Sequence, residues 1–186
     1  MKKRALILLF PGFEEMEAAA PIDLLARAGI DVIQAACGAS RRIEGRNGMT
    51  WEATHCFADV AGELFDAVII PGGPGVKGLR GRADIVNCLR EHHAAKKLLA
   101  CICAGPLLLL DAGLLGNTEY TAHPSTAGEL GAAAKAAVVI DGAIITSQGA
   151  GTATEFALAI VEALLDRETA IGIAQAICWS PVLNDS

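Results

Sequence analysis

The sequence lacks any long run of basic residues. Its formal net charge is −6, and only 19% of its 186 residues are charged. Without a concentration of positive charge, a chain has no electrostatic basis for nonspecific binding to nucleic acid or to anionic membranes. We therefore expect neither nucleic acid nor a membrane as a partner.

Long hydrophobic runs are also absent, since no apolar segment approaches the roughly 20 residues that span a bilayer. The N-terminal MKKRALILLFPG begins like a secretion signal, but its apolar run at 5–10 is short. Acidic residues follow it at positions 14, 15 and 17, where a cleavage site would be expected. A buried first strand explains the segment better, and we expect a soluble, cytoplasmic protein.

The common motifs for metals and phosphates are missing. The six cysteines include no CxxC pair, and no HExxH segment accompanies them. The glycine-rich segment 71–75 is not followed by the Gly-Lys-Ser/Thr of a phosphate-binding loop. We expect reduced cysteines, because the chain is long enough to form a core without disulfides, and no metal or other cofactor.

The apolar residues that are present predict alternating strands and helices. Runs without polar alternation are typical of strands buried on both faces of a parallel sheet; they occur at 5–10, 32–37, 67–70, 98–104, 138–140 and 144–146. Helical periodicity occurs at 15–28, 83–95, 106–112 and 153–165. No linker or repeat divides the chain, so we predict one doubly wound α/β domain spanning 1–186.

Cys103 lies where a predicted strand ends and a predicted helix begins. Ligands bind at the carboxyl ends of strands in open α/β sheets, and free N–H groups at a helix N-terminus favour a thiolate. Ala104 and Gly105 allow close backbone approach, and Pro106 suits a first helical turn. The residues alone support a reactive thiol as well as the alternative, a small buried hydrophobe.

Glu17 is the acidic residue best placed to reach such a thiol. It shares a helical stripe with Pro21 and Leu24, whereas Glu14 and Glu15 can turn to solvent. A carboxyl group on an apolar stripe tends to be desolvated and protonated, and can then donate a proton. The alternative is that all three glutamates simply favour a helix N-terminus.

The loop 71–75 follows a predicted strand, and we expect a further strand to end just before His123, in Tyr120-Thr121-Ala122-His123-Pro124. The loop can bring N–H groups close to an oxyanion. A histidine that precedes a proline in a loop is ordinarily a surface residue, so a catalytic role for His123 requires it to meet Cys103 in space. The sequence leaves that contact open.

Five ordered motifs resemble the DJ-1/PfpI superfamily, and most closely the branch of DJ-1 and its bacterial relatives. They are Glu14-Glu15-Met16-Glu17, Pro71-Gly72-Gly73, Ala100-Cys101-Ile102-Cys103-Ala104-Gly105-Pro106, Ala122-His123-Pro124 and Thr146-Ser147-Gln148-Gly149-Ala150-Gly151-Thr152. The resemblance implies a flavodoxin-like three-layer sandwich with a mostly parallel central sheet, and a homodimer.

The resemblance also implies roles for individual residues. Cys103 would be the reactive cysteine, Glu17 its protonated partner and His123 a loosely placed neighbour. The N–H groups of Gly73 and Ala104 would be the oxyanion donors. Further residues at the pocket or the dimer interface would be Gly72, Gly149, Arg27 and Arg46. Ala104 stands where the protease-like branch has a histidine, which argues against peptidase activity.

Two functions follow from these residues. The first is cofactor-free detoxification of small dicarbonyls such as methylglyoxal and glyoxal to hydroxy acids, as in a glyoxalase III or a deglycase, by a stress-response protein. The alternative is a redox sensor or chaperone whose Cys103 is oxidised to sulfinic acid without significant turnover. A catalytically silent relative is a third possibility.

Overall fold

A computed structural model describes residues 2–131 and 133–180. The strands are β1 (Arg4–Leu9), β2 (Asp31–Ala36), β3 (Arg42–Glu44), β4 (Thr50–Glu52), β5 (His55–Cys56), β6 (Ala67–Ile70), β7 (Leu98–Ile102), β8 (Val138–Asp141) and β9 (Ile144–Ser147). The helices are α1 (Glu15–Arg27), α2 (Phe57–Val60), α3 (Ala83–Ala94), α4 (Pro106–Asp111), α5 (Ala127–Leu130), α6 (Ala153–Leu164) and α7 (Arg167–Ala176).

Seven strands form the central sheet, in the order β5-β2-β1-β6-β7-β9-β8. All neighbouring pairs are parallel except β8 and β9, which form an antiparallel hairpin around Asp141-Gly142. Strand β6 is buried at every residue, and so is β7, as their continuous apolar runs predicted. The predicted mostly parallel α/β sheet is therefore confirmed.

Helices cover the sheet on both faces. Helix α1 packs against α6, and α3 packs against α4. The connection β1–α1–β2 runs toward one edge of the sheet and β6–α3–β7 toward the other, so right-handed crossovers place α1 and α3 on opposite faces. This is the three-layer arrangement that the resemblance implied.

Several short elements, and one longer helix, were not predicted. Helix α7 packs on α6 and is capped at its N-terminus by Asp166, whose side chain accepts a hydrogen bond from the N–H of Thr169. Its sequence contains Gly172, which weakens the helical signal, and packing on α6 compensates. Strands β3 and β4 form a separate two-stranded hairpin that contains Trp51. No helix among the described residues is long and apolar enough to cross a membrane.

Candidate functional site

The carboxyl ends of four neighbouring strands bring the predicted residues together. Glu17 follows β1, Gly72 and Gly73 follow β6, Cys103 follows β7, and Gly149 follows β9. These strands are adjacent in the sheet. Parallel strands end at the same edge of a sheet, where ligands commonly bind. The expected convergence therefore has a direct topological cause.

Cys103 occupies a sharp turn between β7 and α4. Its φ of 61° is positive, which is unusual and strained for a residue other than glycine. Backbone hydrogen bonds hold it there: the Cys103 N–H donates to Ser147 O at 2.9 Å, and the Cys103 carbonyl accepts from the His123 N–H at 3.0 Å. The thiol is thereby held at the sheet edge, in an only partly buried position.

Glu17 is almost fully buried, with 1% of its surface exposed. Its Oε2 atom accepts a hydrogen bond of 2.7 Å from the Gly72 N–H, and its carboxyl group is hydrogen-bonded to the Cys103 side chain. Burial raises the pKa of Glu17 to about 7, although the hydrogen bonds from Gly72 and Cys103 act in the opposite direction. Both protonation states are therefore accessible near neutral pH.

Opposing effects act on the Cys103 thiol. Burial and the negative charge of Glu17 raise its pKa to about 12, while the backbone N–H groups of Gly73 and Ala104 lower it. The N–H groups lower the pKa of Cys103, as expected from the sequence. The net shift of this pKa is nevertheless upward, so the expectation that the site favours a thiolate is wrong. Burial was not visible in the motif, and two adjacent acids cannot both ionise readily. Near neutral pH the thiol therefore keeps its proton, while Glu17 exchanges between its carboxyl and carboxylate forms.

Gly72 has no room for a side chain. A Cβ atom at this position would lie 2.6 Å from the Cys103 Cβ, 2.7 Å from the Ala104 nitrogen and 2.8 Å from Glu17 Oε2. Gly73 in addition has a φ of 102°, which favours glycine. Close contact of the loop with the thiol and the carboxyl group thus requires both glycines.

The expectation that a strand ends just before His123 is wrong, because the nearest preceding strand is β7, which ends at Ile102. His123 is exposed and makes no side-chain hydrogen bond to Cys103 among the described residues. Its Nδ1 atom accepts from the Ser125 N–H at 3.2 Å and lies 2.8 Å from Ser125 Oγ. An acceptor Nδ1 places the proton of the neutral ring on Nε2. A Cβ atom added to Gly149 would lie 3.5 Å from His123 Cδ2 and 3.8 Å from Glu17 Oε1, so these three residues are close neighbours.

A cavity of about 400 Å³ lies over the thiol. Its lining includes the predicted residues Cys103, Gly73, Ala104, His123 and Arg46. Pro74, from the predicted loop 71–75, also lines it, and further lining residues were not singled out from the sequence: Lys77, Leu107, Ser125, Thr126 and Glu129. They are ordinary loop and helix residues, and only the tertiary structure shows that they share this cavity.

Arg27 lies away from this cavity. It is in the last turn of α1, where its Nε donates to Asp23 Oδ2 at 2.8 Å, and both side chains are about half exposed. The i, i+4 pair stabilises the helix surface. The structure therefore gives Arg27 no contact with the thiol or with Glu17.

The expectation that Glu14 and Glu15 turn to solvent is wrong. Their exposed fractions are 8% and 4%. Glu14 Oε2 lies 3.4 Å from Arg46 Nε. Glu15 accepts hydrogen bonds from Asn47, at 2.7 Å from its N–H and 2.8 Å from its Nδ2. Burial disfavours the charge of Glu15, but these hydrogen bonds prevail and its pKa is lowered.

These partners come from the β3–β4 hairpin, which no pattern near residues 14–17 could reveal. The hairpin is held to the loop after β1 by backbone hydrogen bonds as well, from the Gly12 N–H to Glu44 O at 2.8 Å and from the Arg46 N–H to Phe13 O at 2.9 Å. The hairpin therefore carries Arg46 to the cavity and fixes it there.

The chain is similar in sequence and in fold to a known family of proteins. The chain matches the model of the DJ-1/PfpI family over residues 3–163, and it belongs to that family. It is 36% identical over 182 residues to protein dj-1beta of Drosophila melanogaster, an alignment that covers 95% of this chain and 97% of the relative.

Two further similarities bear on function. The chain is 34% identical over 182 residues to a Caenorhabditis elegans protein named glutathione-independent glyoxalase DJR-1.2, with 95% of this chain and 97% of the relative covered. The structure of oxidized DJ-1 from Toxoplasma gondii superposes with a TM-score of 0.92 and 32% identity, and covers 96% of this chain and 99% of the other. The family and its fold are thus shown.

Proposed function

We propose that this protein converts small dicarbonyls such as methylglyoxal and glyoxal into hydroxy acids without a cofactor. The observation that carries the proposal is the contact between the Cys103 thiol and the buried Glu17 carboxyl group beneath the cavity. A nucleophile and a proton-transfer group in direct contact are the two parts that this reaction needs. The name of the C. elegans relative supports the same chemistry.

The first step is addition of sulfur to the aldehyde carbon of methylglyoxal. Glu17 as carboxylate takes the proton of the thiol while the S–C bond forms, and the C=O π electrons move to oxygen. The N–H groups of Gly73 and Ala104 stabilise the negative oxygen, because they already point toward the sulfur. Glu17 then returns the proton to this oxygen, which gives a hemithioacetal.

The second step moves a proton between the two former carbonyl carbons. Glu17 removes the proton from the hydroxyl-bearing carbon, and the electrons move to the ketone oxygen to give an enediolate. The Nε2–H of His123 can donate a hydrogen bond to that oxygen, given that Nδ1 accepts from Ser125. The hydroxyl proton then moves to the enediolate oxygen and Glu17 returns its proton to the adjacent carbon, which produces a lactoyl thioester on Cys103. Water hydrolyses the thioester to lactate and the free thiol.

The pKa of Glu17 suits this cycle. A proton-transfer group works best when its pKa lies near the working pH, and burial raises the pKa of Glu17 to about 7. Methylglyoxal and water together have the composition of lactic acid, so no external oxidant or reductant is required.

The wider context of this activity is part of the proposal. A deglycase would apply the same steps to an adduct on a protein side chain, and we place both activities in a cytoplasmic, homodimeric stress-response protein. Peptidase activity is not proposed, because Ala104 offers no imidazole next to the nucleophile.

Lactate formation without glutathione tests the proposal. Wild type and Cys178→Ser, a control at an exposed cysteine, are expected to produce many equivalents of lactate from methylglyoxal, and Cys103→Ser none. Loss of one equivalent of methylglyoxal without lactate would mean that the thiol only traps the aldehyde. Deglycase activity needs a further test with a preformed adduct of methylglyoxal on a protein side chain. The enzyme must release lactate from this adduct faster than the adduct liberates methylglyoxal by itself.

A second candidate function is redox sensing, with or without chaperone activity. The specific observation is a partly buried thiol hydrogen-bonded to a carboxyl group, in a chain similar to a DJ-1 whose structure is described as oxidized. Peroxide would convert the thiol to sulfenic and then sulfinic acid, with one water formed at each step. If peptide mass spectrometry shows Cys103 oxidising no faster than Cys88 or Cys178, sensing at this residue is excluded.

A further inference from the structure

The Cys103 cavity is larger than a methylglyoxal molecule needs. Its volume of about 400 Å³ falls within the range of roughly 300–1,000 Å³ that encloses much bigger ligands. Addition to the aldehyde fixes only the reacting end of a substrate at Cys103. The remaining space can therefore hold a substituent, whose chemistry depends on the residues around it.

Two cationic side chains from different parts of the chain line this space. Arg46 belongs to the β3–β4 hairpin, and Lys77 to the short turn Pro74–Gly78 after β6. We call this pair the cationic rim. Arg46 is held by the hydrogen bond from its own N–H to Phe13 O and by the buried Glu14 carboxylate. Lys77 is exposed, and no ion pair involves it within residues 2–131 and 133–180.

Of the two cations, Lys77 is the one with no carboxylate within 4 Å among the described residues, because Glu14 already pairs with Arg46. Glu129 also lines the cavity, but its Oε2 accepts from Arg80 Nη1 at 2.7 Å. The same Arg80 binds both carboxylate oxygens of Asp111 at 2.7 Å. Glu129 is therefore already paired, whereas Lys77 remains available to a ligand.

We propose that the cationic rim of Arg46 and Lys77 selects 2-oxoaldehydes that carry a carboxylate. The aldehyde would react at Cys103 while the carboxylate extends toward Lys77 and the Arg46 guanidinium. The reaction in this inference rests on the proposed function. The preference of the cavity for a negatively charged ligand does not. A guanidinium pairs with a planar carboxylate through two donors, and a lysine adds a point charge.

Alkylation of Cys103 measures this charge preference without any turnover. Iodoacetate and iodoacetamide differ only by a carboxylate in place of an amide, and both transfer a two-carbon group to sulfur with loss of iodide. Peptide mass spectrometry gives the ratio of their rates at Cys103, with the exposed Cys178 as reference in the same sample. The need for a thiolate affects both reagents equally and cancels in the ratio.

Lys77→Met is expected to lower the iodoacetate to iodoacetamide ratio at Cys103 about three-fold, the effect of a partly exposed ion pair. Lys77→Arg should retain the wild-type ratio, which guards against a folding artefact. Lys96→Met removes the same charge near the first residue of β7, at the far end of the strand from Cys103, and should change nothing. An unchanged ratio in Lys77→Met, or an equal fall in Lys96→Met, would overturn the inference.

A substrate comparison completes the test. Wild type should show a higher kcat/KM for 4,5-dioxopentanoate than for the uncharged 2-oxopentanal, and Lys77→Met should lose about three-fold of that preference. If neither compound is turned over while the alkylation ratio behaves as expected, the proposed activity fails and the cationic rim stands. If both compounds are turned over with equal kcat/KM and Lys77→Met leaves the alkylation ratio unchanged, the proposed activity stands and the selection by the cationic rim fails.

Discussion

The Gly72 N–H donates a hydrogen bond of 2.7 Å to Oε2 of Glu17. Gly72 adjoins Gly73, whose own N–H acts on the Cys103 thiol. One loop therefore holds the acid and also supplies a donor to the nucleophile. The spacing between acid and thiol depends on this loop, although the two residues are far apart in sequence.

Glu17→Gln should reduce lactate formation about 100-fold or more, the usual contribution of a positioned proton-transfer group. The amide keeps the size and an acceptor for the Gly72 N–H but cannot exchange a proton. The same change removes a negative charge beside Cys103, so iodoacetamide should alkylate the thiol faster than in wild type. Glu162→Gln, at an exposed site on α6, is the control. Wild-type activity in Glu17→Gln would refute its role in proton transfer.

Glu17 should make the folded state less stable as the pH rises. Burial raises its pKa from 4.5 to about 7, so between these values the folded chain binds the proton that the unfolded chain has released. The stability contributed by the protonated form is full below pH 4.5 and is lost as the pH passes 7. At pH 8, Glu17→Gln should therefore be more stable than wild type, by up to about 3 kcal/mol. Urea titrations at pH 4.5 and 8 measure this difference, which should vanish at the lower pH.

Gly72→Ala should abolish most activity and destabilise the fold by about 1–3 kcal/mol, as overpacking does. The new methyl group would meet the Cys103 Cβ at 2.6 Å and Glu17 Oε2 at 2.8 Å, and must displace one of them. Gly78→Ala is the matched control in the following turn, because no atom of the described residues, apart from its own chain neighbours, lies within 4 Å of its added Cβ. Thermal unfolding and lactate assays on both variants give the comparison, and equal effects would argue against a steric cause.

Glu15→Gln should destabilise the protein by about 1–3 kcal/mol at neutral pH, because it removes hydrogen bonds to a charged acceptor. Gln has one acceptor oxygen for the two donors of Asn47, and its NH₂ group would face one of them. The pKa of Glu15 is lowered, so its stabilising effect is present above its ordinary pKa and is lost as the pH falls through the folded value. The difference from wild type should therefore shrink in acid.

Glu44 lies in the same hairpin and its side chain is exposed. As a control, Glu44→Gln should therefore leave the unfolding midpoint unchanged. Because Glu15 also holds the hairpin that carries Arg46, the iodoacetate preference of Cys103 should fall with Glu15→Gln and not with Glu44→Gln. A wild-type midpoint and a wild-type preference in Glu15→Gln would show that the Asn47 contacts do not hold the hairpin in place.

Much of the architecture was predictable from local patterns. Runs such as 67–70 and 98–104 are apolar at consecutive positions, which happens when both faces of a strand are covered, and β6 and β7 have that environment. The position of Cys103 was predictable for the same reason: a strand that stops at a small-residue turn before Pro106 must expose its last residues at the sheet edge.

The protonation chemistry could not be predicted in this way. A pKa depends on desolvation and on groups that approach through space, and the hydrogen bond of Glu17 to Gly72 joins residues 55 positions apart. The upward shift of the Cys103 pKa and the burial of Glu14 and Glu15 have the same origin, as do the partners Arg46 and Asn47 that a distant hairpin provides.

The sequence by itself determined which segments are buried strands and which residue types stand at their ends, because backbone geometry and hydrophobic burial act within a few residues. Only the tertiary structure decided which of those ends are neighbours, that Glu17 ionises before the Cys103 thiol, and that Lys77 borders the cavity of Cys103. Contacts between segments far apart in the chain set these properties, and no local pattern encodes them.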